Sequence, residues 1–209
     1  MGVSNKIRIM CVDDHPLVRD GVAFALQFHD DLELVGEAKT GEEAVSEFLR
    51  LQPDVTLMDL QMPGVSGIEA LQAIREQSPK AKVIILTTYS GDVQASRAFK
   101  AGAAGYLLKS MLRTELITTI RDIHAGKKRI PPEIAASLAE HFSADDLSAR
   151  EIEVLRSVAA GNSNKIVADN LSISEDTVKG HMKNIMSKLG ANDRTHAVLI
   201  AMRRGFLEG

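Results

Sequence analysis

Asp13 and Asp14 close the apolar run KIRIMCV, Asp59 closes a second in DVTLMD, Thr87 a third in KVIILTT, and Lys109 follows a fourth in AAGYLLK. If these runs are neighbouring strands of one parallel sheet, three carboxylates, a hydroxyl and an ammonium meet at its carboxyl edge, where open α/β sheets bind their ligands. Carboxylates crowded into a low-dielectric cleft repel one another, so the group is tolerable only with a cation or with a raised pKa. A hard divalent metal answers that need. Mg²⁺ keeps several waters and takes one or two carboxylates together with a substrate phosphate. The chemistry indicated is metal-assisted phosphoryl transfer. Each residue alone has an ordinary explanation: an exposed loop aspartate, a solvated lysine, a β-branched strand threonine. It is their joint placement at successive strand ends that points to a site.

The elements that must position these residues can be read from periodicity. Short β-branched runs at about 6–12, 32–38, 54–59, 82–87 and 104–108 alternate with helically spaced apolar residues such as Val18, Val22, Ala25 and Leu26, or Ala44, Phe48 and Leu51. Uninterrupted runs such as VIIL call for strands covered on both faces. The expectation for residues 1–125 is therefore a doubly wound α/β fold with a five-stranded parallel sheet. Pro63, Gly64 and Gly67 turn the chain beside Asp59. His15, followed by Pro16, reads as a helix-start feature rather than a metal ligand, since no other His or Cys lies at ligand spacing.

From Gly126 the pattern changes. A basic run, the pair Pro131 and Pro132, and a short amphipathic stretch through Ile134, Leu138 and Phe142 suggest a linker over 126–146 with one short helix. Residues 147–209 show only helical periods: one through Ile152 and Leu155, one through Ile166 and Leu171, one from Ser174 to Leu189, and one from Arg194 to Arg204. In the third, Ser174 is a suitable N-cap, and Val178, Met182, Ile185 and Leu189 form the buried stripe. Thr177, Lys179, Gly180, Lys183 and Asn184 fall outside it, with the two lysines one turn apart. Such a helix suits the DNA major groove.

Composition agrees with a globular chain. The 209 residues are 44% apolar, ample for a core, and no apolar stretch approaches a membrane span. A single cysteine, Cys11, excludes an internal disulfide and reads as a small buried thiol, which fits a reducing cytoplasm. The net charge of −3 divides unevenly. Residues 1–126 carry 13 Lys/Arg against 17 Asp/Glu, and residues 127–209 carry 12 against 11. The second half is the better suited to an anion.

CVDDHP, LMDLQMPG, the Thr87 run and the Tyr106–Lys109 run resemble the receiver domain of two-component response regulators. The tail LSAREIEVLRSVAAGNSNKIVADNLSISEDTVKGHMKNIMSKLG resembles the LuxR-type helix-turn-helix of the NarL/FixJ class. This resemblance implies a phosphorylation-activated transcriptional regulator rather than a turnover enzyme. It makes Asp59 the phosphoacceptor for a histidine kinase, with Mg²⁺ held by Asp14, Asp59 and the backbone carbonyl of Gln61, and with Asp13 holding a metal-bound water. Lys109 would neutralise the phosphoryl oxygens, and Thr87 and Tyr106 would carry the switch. The plain alternative for Tyr106 is a half-buried ring with a wet hydroxyl. The resemblance further implies DNA contacts from Lys179, Lys183, Thr177, Gly180, Asn164 and Lys165, promoter DNA as a partner, homodimerisation on phosphorylation, and RNA polymerase as a further partner. Two positions depart from the family pattern: Ile166 stands where an acidic residue is common, and Gly180 where a bulkier one is. The small apolar residues Ala197, Val198, Ile200 and Ala201 either pair across a two-fold axis or are ordinary core. A Mg²⁺-dependent phosphatase with an aspartyl-phosphate intermediate is the alternative, but the second acid it wants two residues after the nucleophile is Gln61 here.

Overall fold

The computed structural model describes residues 6–88, 91–140 and 147–207, and Phe142 of the expected linker helix lies outside them. Two compact units result: residues 1–88 with 95–135, and residues 89–94 with 136–209.

The first unit alternates strand and helix. Strands β1 (Ile7–Val12), β2 (Leu32–Ala38), β3 (Val55–Asp59), β4 (Val83–Thr87) and β5 (Gly105–Leu108) form one parallel sheet in the order β2-β1-β3-β4-β5. The helices of this part are α1 (Pro16–Leu26), α2 (Gly41–Leu51), α3 (Gly67–Gln77), α4 (Asp92–Lys100) and α5 (Leu112–His124), with a 3₁₀ turn over Lys109–Met111. Both faces of the central strands are covered, so β3 and β4 are buried at every position. This is why their sequences run apolar without alternation. The core gathers Ile9, Cys11, Leu57, Ile84, Leu86 and Leu107 from the sheet with Val22, Leu26, Leu116 and Ile120 from α1 and α5. Local signals start the helices. Thr40 caps α2 by accepting from the Glu43 backbone N–H, and Ser66 and Glu69 form a reciprocal capping box on α3.

The start of the basic stretch belongs to this unit. Gly105 and Arg129 form a parallel β-bridge, and the Tyr106 backbone N–H donates to the Arg129 carbonyl at 3.1 Å. Edge strand β5 thereby gives its free donor a partner. Arg129 and Lys127 both pair with Asp122 on α5, which holds the stretch in place. Helix α6 (Pro132–Glu140) follows.

The second unit is helical: α7 (Ala149–Ala159), α8 (Asn164–Leu171), α9 (Glu175–Leu189) and α10 (Arg194–Arg204). Ser148, Ser163, Ser174 and Asp193 cap the four N-termini, and Gly190 and Gly205 close α9 and α10 with positive φ. Val154, Leu155, Val167, Val178, Met182, Ile185, Ala197 and Ala201 make the core. Within the unit, Arg204 donates to both oxygens of Asp92 in a buried ion pair.

Candidate phosphoryl site and nucleic-acid interface

The strand ends bring the predicted acidic residues together. One ligand atom from each of Asp13, Asp14, His15 and Asp59 lies within 4.8 Å of all the others. Asp13 and Asp59 are buried at 0% and 3% exposure, so their charges are held away from bulk water. The Lys109 ammonium bridges them, 2.8 Å from Asp13 Oδ2 and 2.8 Å from Asp59 Oδ2. Burial raises the Asp59 pKa, and the charge on Asp13 raises it further, while Lys109 and the Gln61 backbone N–H pull it down. Burial depresses the Lys109 pKa, yet its bonds to Asp13 and Asp59 outweigh that and the net shift is upward. The site is therefore a carboxylate pair bound around one cation, with Asp14 at its open side.

These residues fit a divalent metal. Asp14 Oδ1 is sealed from water and accepts no hydrogen bond. Such a carboxylate oxygen wants a cation, and the donor set is oxygen-rich as Mg²⁺ requires. Gln61 is half-buried beside the site. Gly67 also belongs to this loop: a Cβ there would stand 1.9 Å from the Asp59 carbonyl oxygen, so only glycine lets α3 start this close to the acceptor. Gly64 supplies the turn with φ +77°.

Arg19 was not among the residues expected at the site. It is buried on α1, donates from Nη1 to the Asp13 carbonyl at 2.7 Å, and from Nε to Glu37 at 3.0 Å. It fixes the backbone that presents Asp13 and Asp14. The signal was present, because Arg19 falls in helical register with the buried Val22 and Leu26.

Thr87 ends β4 at 1% exposure and its hydroxyl is hydrogen-bonded with that of Tyr106. Tyr106 is fully buried and packs against Phe99 with ring centroids 6.2 Å apart. The half-buried ring with a wet hydroxyl is thus excluded: burial drives the Tyr106 pKa up, only partly offset by Thr87. His15 does stand at the N-cap of α1, but its side chain makes no capping bond.

In the second unit, Val178, Met182, Ile185 and Leu189 are all buried, while Thr177, Lys179, Gly180, Lys183 and Asn184 are exposed. Lys179 pairs with Asp176 at 2.8 Å, which raises the lysine pKa and lowers that of the aspartate. Nothing lies within 4 Å of a Cβ built on Gly180. On α8, Lys165 and Ile166 are exposed and Asn164 is half-buried. Ala197 and Ala201 on α10 are fully buried core, while Leu199 and Met202 on the same helix are exposed at 56% and 43%.

Comparison with known proteins agrees with both parts. Residues 9–121 match the family described as response regulator receiver domain, and residues 145–201 match bacterial regulatory proteins of the luxR family. The chain is 36% identical over 215 residues to the transcriptional regulatory protein LnrK of Bacillus subtilis (strain 168), covering 95% of this chain and 98% of that one. A crystal structure of ChrA, a response regulator in a heme-sensing two-component system, is 38% identical with a TM-score of 0.58, covering 97% of this chain and all of that one. RcsB from Salmonella enterica serovar Typhimurium, bound to a promoter in the presence of a phosphomimetic, is 28% identical with a TM-score of 0.72, covering 94% and 98%. The chain belongs to the response regulators of two-component systems, with a receiver domain followed by a LuxR-type DNA-binding domain. It is one of the family's DNA-binding transcriptional regulators, and among its described residues no helix is long and apolar enough to cross a membrane.

Proposed function

We propose that this chain accepts a phosphoryl group on Asp59 from a histidine kinase in the cytoplasm, and that the phosphorylated form pairs and binds promoter DNA. The observation that carries the reading is the bridge from Lys109 to both Asp13 and Asp59 beside the unsatisfied Asp14. A divalent cation held by Asp14, Asp59 and the Gln61 carbonyl, with Asp13 on a bound water, would supply positive charge to the phosphoryl oxygens. The Asp59 carboxylate attacks phosphorus in line with the leaving imidazole of the kinase. The P–N bond breaks as the O–P bond forms, and Lys109 neutralises charge on the equatorial oxygens. No second acid stands at Gln61 to activate water, so the acyl phosphate persists long enough to act as a signal.

The switch follows from proton counting. Thr87 has one hydroxyl proton, and the Tyr106 hydroxyl is its buried neighbour. A phosphoryl group adds nearly two negative charges, so Thr87 turns its proton to the phosphoryl oxygen while Tyr106 donates to Thr87. That relay fixes the face made by α4, β5 and α5 and biases a two-state equilibrium. The unphosphorylated receiver restrains the DNA-binding part; phosphorylation frees it. On DNA, α9 enters the major groove, where Lys179 and Lys183 meet phosphates or guanine edges, with Thr177, Gly180, Asn164 and Lys165 beside them. The test is affinity for genomic promoter fragments before and after phosphorylation. Tighter, dimeric binding by the phosphorylated chain supports the proposal, and an unphosphorylated chain binding as tightly as the isolated DNA-binding part contradicts it.

A further inference from the structure

We propose that His15 is a nitrogen ligand of the divalent-cation site, which makes the site one that takes first-row transition ions such as Mn²⁺ in preference to Mg²⁺. The inference rests on the reading of the acidic cluster as a receiver metal site and adds a ligand to it. His15 Nδ1 lies 2.7 Å from Asp14 Oδ1 and 3.3 Å from Asp13 Oδ1. Neighbouring ligands on an octahedron with bonds near 2.1 Å are separated by about 3.0 Å, so these atoms stand at the spacing of adjacent coordination positions. The short approach to Asp14 is not a hydrogen bond, since Asp14 Oδ1 has none. Two acceptor atoms converge on a common point and lack a cation between them.

The backbone holds the imidazole there. The His15 N–H donates to Asp13 Oδ1 at 2.9 Å, its carbonyl accepts from the Val18 N–H, and Pro16 follows at the first helical position. Helix capping does not explain the residue. Ser, Thr, Asp and Asn are the preferred N-caps, and the His15 side chain caps nothing. At 66% exposure the ring stands on the solvent side, where it would replace one of the waters that the metal otherwise keeps. Mg²⁺ gains little from imidazole, whereas transition ions bind it well. Selectivity is the consequence.

The test is Mn²⁺ binding to the full chain, followed by electron spin resonance with electron spin-echo detection of coupled ¹⁴N. The expected result is one Mn²⁺ site with directly coordinated nitrogen, and loss of that coupling in His15→Ala. The same variant should weaken Mn²⁺ about tenfold and Mg²⁺ less than about threefold. His15→Ala with unchanged Mn²⁺ affinity, or a bound Mn²⁺ without nitrogen coupling, overturns the assignment of His15 while leaving the carboxylate site standing. Mn²⁺ binding that survives both Asp14→Asn and Asp59→Asn overturns the carboxylate site itself, and the inference with it.

Discussion

Replacing Lys109 by methionine removes the only listed cation contact of two buried carboxylates while keeping most of the apolar stem. Each Lys109 contact is 2.8 Å long. At an effective dielectric of about 20, each is worth about 6 kcal/mol of gross Coulomb energy. Desolvation of the three groups takes back most of that, and breaking a buried ion pair from one side costs about 3–5 kcal/mol in practice. Because Asp13 and Asp59 stay buried, a loss of about 4 kcal/mol is expected for metal-free protein near neutral pH, a fall of about 15 °C in melting temperature for a unit of this size. The pH dependence has a definite sign. Burial and then Asp13 already raise the Asp59 pKa, and Lys109 is the main restraint on it, so the variant's Asp59 pKa rises further. A group whose folded pKa is raised contributes stability that is full below its unfolded value and is lost as pH climbs through the folded one. The deficit should therefore be largest at about pH 7.5 and shrink by about 2 kcal/mol toward about pH 5, where Asp59 holds a proton. Mg²⁺ should restore much of the stability at the higher pH by replacing the missing charge. Thermal unfolding of the full chain, following the Mg²⁺-responsive transition, measures all three effects. A deficit that is absent, or that grows toward acid pH, refutes the electrostatic account of the site.

Three further outcomes are expected. Thr87→Val keeps the buried shape but leaves the Tyr106 hydroxyl without its partner, costing about 1–2 kcal/mol; intact mass should still find the adduct on Asp59, while DNA binding measured by fluorescence anisotropy no longer tightens on phosphorylation. Asp176→Asn frees Lys179 and removes a negative charge facing DNA, so affinity should rise about threefold at low salt and less at high salt, whereas Lys183→Ala should weaken all sequences alike and reduce the salt slope by about 1. Gly180→Ala should stabilise the helical unit against urea by about 1 kcal/mol, because the new methyl meets nothing; if its DNA affinity also falls, the glycine serves close backbone approach.

Much of the fold was legible because its signals are short-range. Strand ends at Val12, Asp59 and Thr87 coincide with those read from the apolar runs, since a parallel strand covered on both faces leaves an unbroken apolar string. The α9 stripe was equally plain, because a helix with one buried face repeats its apolar residues every three or four positions. What escaped depends on placement between distant segments. Arg19 reads as a surface charge until α1 packs and turns its guanidinium onto the Asp13 carbonyl. Arg129 sits in a basic run that looks solvated, yet its carbonyl completes the edge of β5 next to Tyr106. Tyr106 carries a polar hydroxyl that favours a wet position, and only the buried Thr87 oxygen permits full burial. On α10 the small residues offered for pairing turned out to be core, because Ala197 and Ala201 sit where helices cross closely, and the exposed apolar atoms belong to Leu199 and Met202.

The central claim is that a phosphoryl group on Asp59 switches DNA binding. Full-length protein incubated with Mg²⁺ and a small phosphoryl donor, then divided between intact-mass analysis and promoter binding, tests it most directly. The account predicts one labile adduct, absent in Asp59→Asn, that appears and decays in step with tighter DNA binding. Steady phosphate release without an adduct, or an adduct that leaves DNA affinity unchanged, would contradict it.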